Sequence, residues 1–403
     1  MRVLVHDYGG YSFPTELSRS LARRGHQVLH LYCGSIVTPQ GGLTTPSSDP
    51  ETLTIRPVVL GRKIERGKLL LRRQLEIEHG KRVSREIVAF KPHVVISANN
   101  PLDSQRRLQA TGDKLGVPMV FWLQDLIGLA TLFFLKDRLP LVGELAGRHY
   151  IGMEKRLLHR SHAVVAISSD FEDTLVNWGI PSSKITVIEN WASLAELPLR
   201  SRQNQWAEAH GLSETFNFIY TGTLGMKHNP KILLRLAKAF QNEPNVRVIV
   251  VSQGLGREWL QKELDQADAP RNLMLFDFQP FEALPDVLGA ADVVTAILEA
   301  DAGVLSVPSK VMTYMCSGRP MLLAVPDENL ASRVVRDHEC GLTSPPQDAD
   351  AFIANARSLY DDAIFRRTLG ENARRYAEEH FDIEKITDRF EKVFRSVVRE
   401  TSH

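Results

Sequence analysis

The sequence predicts an α/β protein made of two consecutive parallel-sheet domains. Three observations carry that expectation. A chain of 403 residues exceeds what one hydrophobic core ordinarily supports. Short apolar, β-branched runs alternate with amphipathic segments from Met1 onward, the pattern of βαβ units around a parallel sheet. That rhythm lapses once, in the polar, proline-containing stretch from Glu189 to Gln205, and then begins again.

In the first series, strands are predicted at Val3 to His6, Gln27 to Tyr32, His93 to Ser97, Met119 to Leu123, Ala163 to Ile167 and Ile185 to Ile188. In the second they fall at Phe216 to Tyr220, Arg247 to Val251, Leu273 to Phe276, Val293 to Ile297 and Met321 to Ala324. Helices fill most of the gaps. The expected domains are residues 1–195 and 196–375, followed by a charged helical stretch, 376–403, that can pack back on the first domain. An apolar stripe of Ala373, Tyr376, Phe381, Ile386, Phe390 and Val393 runs into that stretch. Two such series imply an interdomain cleft faced by the carboxyl ends of both sheets, where α/β folds bind ligands.

Composition excludes several classes. With 43% hydrophobic and 24% charged residues the chain reads as an ordinary globular protein. Lys and Arg number 49 against 48 Asp and Glu, so no overall charge draws nucleic acid, and any basic site is local. Cys33, Cys316 and Cys340 are odd in number and widely spaced, which fits a reducing compartment and neither a disulfide framework nor a zinc site. The opening Arg-Val-Leu-Val-His is a strand-like run and not a secretory leader, so a cytoplasmic protein is expected. No apolar stretch approaches the roughly 20 residues a membrane span requires.

Three clusters have the residue types for binding an anionic ligand. The first βα turn holds Gly9 and Gly10 ahead of a helix, where backbone can approach a ligand and N–H groups can meet an anion; a purely steric role for these glycines is the alternative. The run is not G-x-G-x-x-G, which counts against a dinucleotide dehydrogenase. In the second series, Tyr-Thr-Gly-Thr-Leu-Gly-Met-Lys places Gly222, Thr223 and Lys227 between a strand and a helix, a plausible diphosphate site. Gly254 and Gly256 occupy the corresponding turn after the next strand and are ready candidates for close ligand approach. The third cluster spans Asp301 to Pro320: Ser309 reads as a helix cap, Gly318 as that helix's end, and Lys310 sits in the first turn against the helix dipole. A lysine there suits an anion better than it suits the helix, with a merely solvated lysine as the alternative. Asp348-Ala-Asp350 is similar to a metal-binding triplet but stands before a helix and reads as a cap.

Together, Val-Pro-Ser-Lys…Ser-Gly-Arg-Pro, Tyr-Thr-Gly-Thr-Leu-Gly, Val-Ile-Glu-Asn-Trp ending at Trp191, and Ala-Ala-Asp-Val-Val after Gly289 make the chain resemble the retaining GT-B glycosyltransferases of family 4. Within that family it looks most like the bacterial exopolysaccharide and O-antigen subgroup, of fucosyl or N-acetylfucosaminyl type. The resemblance implies the GT-B fold: two Rossmann-like domains that clamp a nucleotide-sugar and pass its sugar to an acceptor, without metal or other cofactor. It implies a UDP- or GDP-sugar donor, and as acceptor a glycan, lipid-linked in surface-polysaccharide synthesis.

By the same resemblance, Gly222 and Lys227 serve the diphosphate, Gln279 to Phe281 the base, and Ser309 and Lys310 the phosphates or donor sugar. Asp125 is the candidate for orienting the acceptor hydroxyl, with helix capping as its alternative; Glu154 matches a helix glutamate of structural use. The family's two glutamates, seven residues apart, fall here near Leu305 and at Thr313, so ribose binding is rearranged, with Glu299 or Asp301 able to supply a carboxylate. That departure keeps open a binding protein without catalysis, and a GT-B epimerase is the rival enzyme.

Two stretches suit a membrane surface. Nine Lys and Arg residues lie between Arg62 and Arg85, interleaved with Leu69, Leu70 and Leu71. Leu126 to Val142 adds Phe133, Phe134, Leu141 and Val142 beside the expected acceptor site. Peripheral contact with anionic lipid on the inner face of the plasma membrane is the resulting expectation, with a solvated helix as the alternative.

Overall fold

The computed structural model describes residues 1–36, 40–64, 69–136, 140–225, 228–299 and 309–400. The chain forms two compact units, Met1–Asn190 with Asp382–His403, and Trp191–Phe381.

The first unit runs β1 (Arg2–Asp7), α1 (Ser12–Arg23), β2 (Gln27–Cys33), β3 (Leu53–Val58), α2 (Leu69–Phe90), β4 (Val94–Ala98), α3 (Leu102–Leu115), β5 (Met119–Leu123), α4 (Ile127–Lys136), α5 (Pro140–Arg160), β6 (Ala163–Ala166), α6 (Ser169–Asn177) and β7 (Ile185–Val187). Its seven strands pair in the order β3-β2-β1-β4-β5-β6-β7, all in parallel. β4, β5 and β6 are buried at every residue, as strands covered by helices on both faces must be. That is why they read as unbroken apolar runs.

The second unit runs α7 (Gln205–Ala209), β8 (Phe216–Thr221), α8 (Pro230–Ala239), β9 (Val246–Val251), α9 (Leu255–Leu264), β10 (Leu273–Phe276), α10 (Leu284–Gly289), β11 (Val293–Ile297), α11 (Lys310–Cys316), β12 (Met321–Ala324), α12 (Leu330–Asp337), β13 (Gly341–Ser344), α13 (Ala349–Asp361) and α14 (Ala363–His380). Its six parallel strands follow the order β10-β9-β8-β11-β12-β13. In both sheets the order reverses beside the first strand, at β1 and at β8, which is where doubly wound sheets open toward a ligand at their carboxyl edge.

Two strands lie outside the sequence-based expectation. β3 contains Pro57, and β13 begins at Gly341; both are edge strands. An edge can spare the hydrogen bond that proline lacks, so a Pro-containing run is admissible there and nowhere further in. The terminal stripe is also divided. Asp382 accepts hydrogen bonds from the Glu384 and Lys385 N–H groups, at 2.9 and 3.3 Å, and starts a separate helix, α15 (Ile383–Glu400). Ala373 and Tyr376 of α14 are buried in the second unit, whereas Phe390 of α15 meets Trp122 of β5 edge-on, with ring centroids 4.8 Å apart, in the first. Arg24 on α1 donates to Glu384 and Asp388, and His26 pairs with Glu391 at 2.8 Å.

The three cysteines are free and buried. Asp348 accepts from the Ala351 N–H at 2.9 Å, the helix-cap role read from the sequence, and Asp350 pairs with Arg235.

Candidate functional site

The carboxyl end of β8 is where the second unit gathers its candidate residues. Gly222 follows the strand with φ +108°, a conformation that L side chains rarely adopt. A Cβ there would stand 3.4 Å from Lys310 Cε and 3.5 Å from its Nζ, so the ammonium of α11 lies beside this turn. Lys310 is not merely solvated: its Nζ donates to the Tyr220 hydroxyl at 2.5 Å and stands 3.9 Å from that ring's centroid. The Tyr220 hydroxyl in turn donates to the Thr223 carbonyl at 3.0 Å.

One helical turn on, the buried Tyr314 hydroxyl receives the Thr221 N–H at 2.9 Å and donates to the Thr221 carbonyl at 3.2 Å. Burial pushes the Tyr314 phenol up to about 12 and raises that of Tyr220 well above its ordinary value, so both remain protonated donors. Residues four apart on a helix share a face. Lys310 and Tyr314 therefore pin α11 to the end of β8, and Thr313, half-buried, is carried on the same short helix. Of the two tyrosines, only Tyr314 has a signal in the sequence, its i,i+4 spacing from Lys310; the pairing of Tyr220 with Lys310 depends on tertiary packing.

Several expectations need correction. Ser309 has a helical backbone, φ −55° and ψ −25°, and its hydroxyl makes no cap bond among the described residues, so it does not cap α11 by its side chain. Gly254 and Gly256 admit a neighbouring turn. A Cβ on either would lie 2.9 Å from the Leu224 carbonyl oxygen, and on Gly256 also 2.6 Å from Leu224 Cγ. Gly256 donates its N–H to that carbonyl at 2.9 Å, and Leu224 donates to Gln253 at 3.0 Å. The turns after β8 and β9 are thereby laced together, with Gly254 at φ +114° as the residue before α9.

In the first unit the N–H groups after β1 are already occupied. Asp7 is buried and accepts from the Gly9 N–H at 3.2 Å, the Tyr11 N–H at 2.6 Å and the Asn99 amide at 2.8 Å. A Cβ on Gly9 would meet the Tyr11 ring, and one on Gly10 the Gln40 amide. The resident anion at Gly9 and Gly10 is thus the protein's own carboxylate, which burial still raises to about 6.

Glu154 takes the capping role that was the alternative for Asp125. Its carboxylate accepts the Ile127 and Gly128 N–H groups, at 3.0 and 2.9 Å, at the start of α4. Asp125 stands exposed at the carboxyl end of β5. In the second unit Gln279 accepts the Trp206 indole N–H at 3.2 Å, next to a cluster of Trp206, His210 and Phe276, and Phe281 opens a 3-10 turn just after it. Gly318, φ +65°, follows α11 as its left-handed end. Lys227, Asp301 and Leu305 lie outside the described residues.

Two doubly wound parallel sheets in one chain, the second with a tethered cation at the carboxyl edge of its switch-point strand, define the GT-B class of fold. Residues 11–191 match the glycosyl transferase 4-like domain family, and residues 202–376 match glycosyl transferases group 1. The chain carries both of these domains and is a glycosyltransferase of the GT-B type.

WcaI of Escherichia coli, a glycosyl transferase named for colanic acid biosynthesis, is 24% identical over 316 residues, 73% of this chain and 76% of that protein. Among solved structures, sucrose-phosphate synthase from Thermosynechococcus elongatus aligns with TM-score 0.72 at 17% identity, covering 99% of this chain and 100% of that one. HepE of Anabaena, in complex with UDP-glucose, aligns with TM-score 0.69 at 15% identity, covering 98% and 100%.

Proposed function

We propose that this glycosyltransferase binds a UDP- or GDP-sugar on its second unit and transfers the hexose, deoxy- or amino-sugar, with retention, to a glycan acceptor, lipid-linked in surface-polysaccharide synthesis. The observation that carries the donor half is the seat of Lys310: an ammonium held by a buried tyrosine beside a left-handed glycine at the carboxyl edge of β8. A fixed cation there opposes the charge that develops on a leaving diphosphate. The UDP-glucose complex of HepE supports a nucleotide-sugar as donor, and WcaI's name supports a polysaccharide pathway.

In the proposed reaction the bond between the anomeric carbon and the diphosphate oxygen breaks as the acceptor oxygen bonds to the same face. The leaving phosphate oxygen takes the acceptor's proton. Lys310 and Lys227 offset the negative charge on the departing nucleotide, Gly222 and Thr223 adjoin the diphosphate, and Gln279 and Phe281 adjoin the base. Asp125 orients the acceptor hydroxyl. No protein nucleophile enters this scheme.

Thermal-shift measurements against UDP, GDP and their sugars test the donor site: stabilisation by one of the diphosphates is expected, and silence from all of them would sink the reading. Lys310→Ala is expected to lower kcat for donor turnover by about 100-fold or more, the usual cost of removing a preorganised charge-stabilising donor. Undiminished turnover in that variant removes Lys310 from the mechanism.

A further inference from the structure

The switch point of the first sheet, between the carboxyl ends of β1 and β4, is closed on one side and open on the other. On the β1 side the Gln40 amide donates to the Gly9 and Cys33 carbonyls, at 3.3 and 3.1 Å, and Gly41 donates its N–H to the Gly10 carbonyl at 3.2 Å. Gly9 and Gly10 are buried. On the β4 side the chain leaves Ala98 through Asn99, Asn100 and Pro101. A residue before proline is pushed toward extended backbone, so the bend falls on Asn99, which has φ +54°. Asparagine tolerates that left-handed conformation better than most side chains do. The two asparagines then have different surroundings. Asn100 is buried, and its amide donates to Gln105 at 2.8 Å and to the Ser97 hydroxyl at 3.3 Å. Asn99 is half-buried and donates to Asp7 Oδ1 at 2.8 Å.

Asp7 sets both what Asn99 presents and what this edge refuses. Its carboxylate collects the Gly9, Tyr11 and Asn99 N–H groups, and an ionised carboxylate only accepts. The Asn99 nitrogen must therefore meet Asp7, which leaves the amide oxygen directed elsewhere. That oxygen has no hydrogen-bond partner among the described residues, and it is not one of their enclosed polar atoms. Asp7 has no Lys or Arg partner among the described residues, so N–H groups alone meet its charge. β5 lies beside β4 with Ala98 paired to Trp122, which brings the Asp125 carboxylate to the same edge. An amide oxygen in the company of two carboxylates suits a hydroxyl donor and disfavours a phosphate or carboxylate.

We propose that Asn99 accepts a hydrogen bond from an uncharged sugar hydroxyl of the acceptor, with Asp7 as its positioning residue, and that acceptors carrying an anionic group on that sugar are refused. This assignment rests on the first unit receiving the acceptor, and it adds the chemical class taken there: a neutral glycosyl end. No proton changes hands at Asn99.

Saturation-transfer NMR on the full chain, with UDP or GDP present, is the test. Methyl α-D-glucopyranoside, methyl β-D-galactopyranoside and methyl α-L-fucopyranoside serve as neutral probes, and glucose 6-phosphate as the anionic one. At least one neutral glycoside should give a transfer signal, and glucose 6-phosphate should give far less. Asn99→Gly keeps a left-handed backbone and removes the amide; it should bind that glycoside about tenfold more weakly, with an unchanged circular dichroism spectrum. Asp7→Asn, equal in shape and uncharged, should raise the glucose 6-phosphate signal relative to the neutral glycoside. The proposal is overturned if no neutral glycoside gives a signal, if glucose 6-phosphate matches the neutral probes, or if Asn99→Gly binds as the unaltered protein does. An unchanged preference in Asp7→Asn removes Asp7 from the assignment. Should neither UDP nor GDP stabilise the protein while the glycoside signal stands and is lost in Asn99→Gly, the donor reading fails and this one survives.

Discussion

Glu154 is a buried carboxylate whose ionisation works against the fold. Burial pushes it up to about 7; the Ile127 and Gly128 N–H groups pull the other way, and the charge of Asp125 adds to the rise. A raised carboxylate means that the folded state holds its proton where the unfolded chain has released it. Between the ordinary glutamate value and about 7 this residue's contribution to stability therefore falls as pH rises. His79 has the opposite sense: burial drops it to about 3, so its contribution is lost as pH falls below the ordinary histidine range. Glu154→Gln isolates the first effect, because every other titrating group is common to both proteins. In urea unfolding at pH 5 and pH 8, the stability difference between unaltered protein and variant should shrink by about 3 kcal/mol at the higher pH. A difference that does not change with pH would show that Glu154 ionises without cost.

At the scale of elements, what the sequence shows depends on where a segment lies in the sheet. Central strands such as β5, β11 and β12 are buried throughout, and their apolar runs mark their limits to the residue. The edge strands β3 and β13 escape because both carry turn-like residues: Pro57, which an edge admits, and Gly341, which stands where a Cβ would lie 2.1 Å from the Met321 carbonyl oxygen. The break between α14 and α15 escapes for another reason: the apolar stripe passes unbroken through Phe381, and only the Asp382 cap interrupts the backbone. In the candidate site, Lys310 and Gly222 are legible as residue types, but the tyrosines that place them depend on tertiary packing. Gly256 is the clearest misreading, since the space it leaves is filled by Leu224. Gly256→Ala should therefore cost about 1–3 kcal/mol by overpacking and displace the turn after β8. Weaker stabilisation by whichever of UDP and GDP stabilises the unaltered protein is the expected result in that variant; undiminished stabilisation would separate this turn from donor binding.

At the scale of the whole molecule, the chain completes its first unit last. Strands β1 to β7 are laid down before residue 190, yet α15, the closing helix, arrives only after the entire second unit. Phe390 is fully buried against Trp122, and Phe394 is buried one turn further along. The second core is composed of its own residues, from Phe216 through Leu369. Phe390→Ala should accordingly cost about 3–5 kcal/mol, the usual cost of emptying an aromatic site in a core, and should spend it locally. Hydrogen exchange followed by mass spectrometry should find faster exchange in β1, β4 and β5, while β8 to β12 keep their protection. Uniform acceleration across both sheets would mean that the two cores unfold as one cooperative body. Preserved protection in β8 to β12 would mean that the second unit holds its structure while the unit closed by α15 opens.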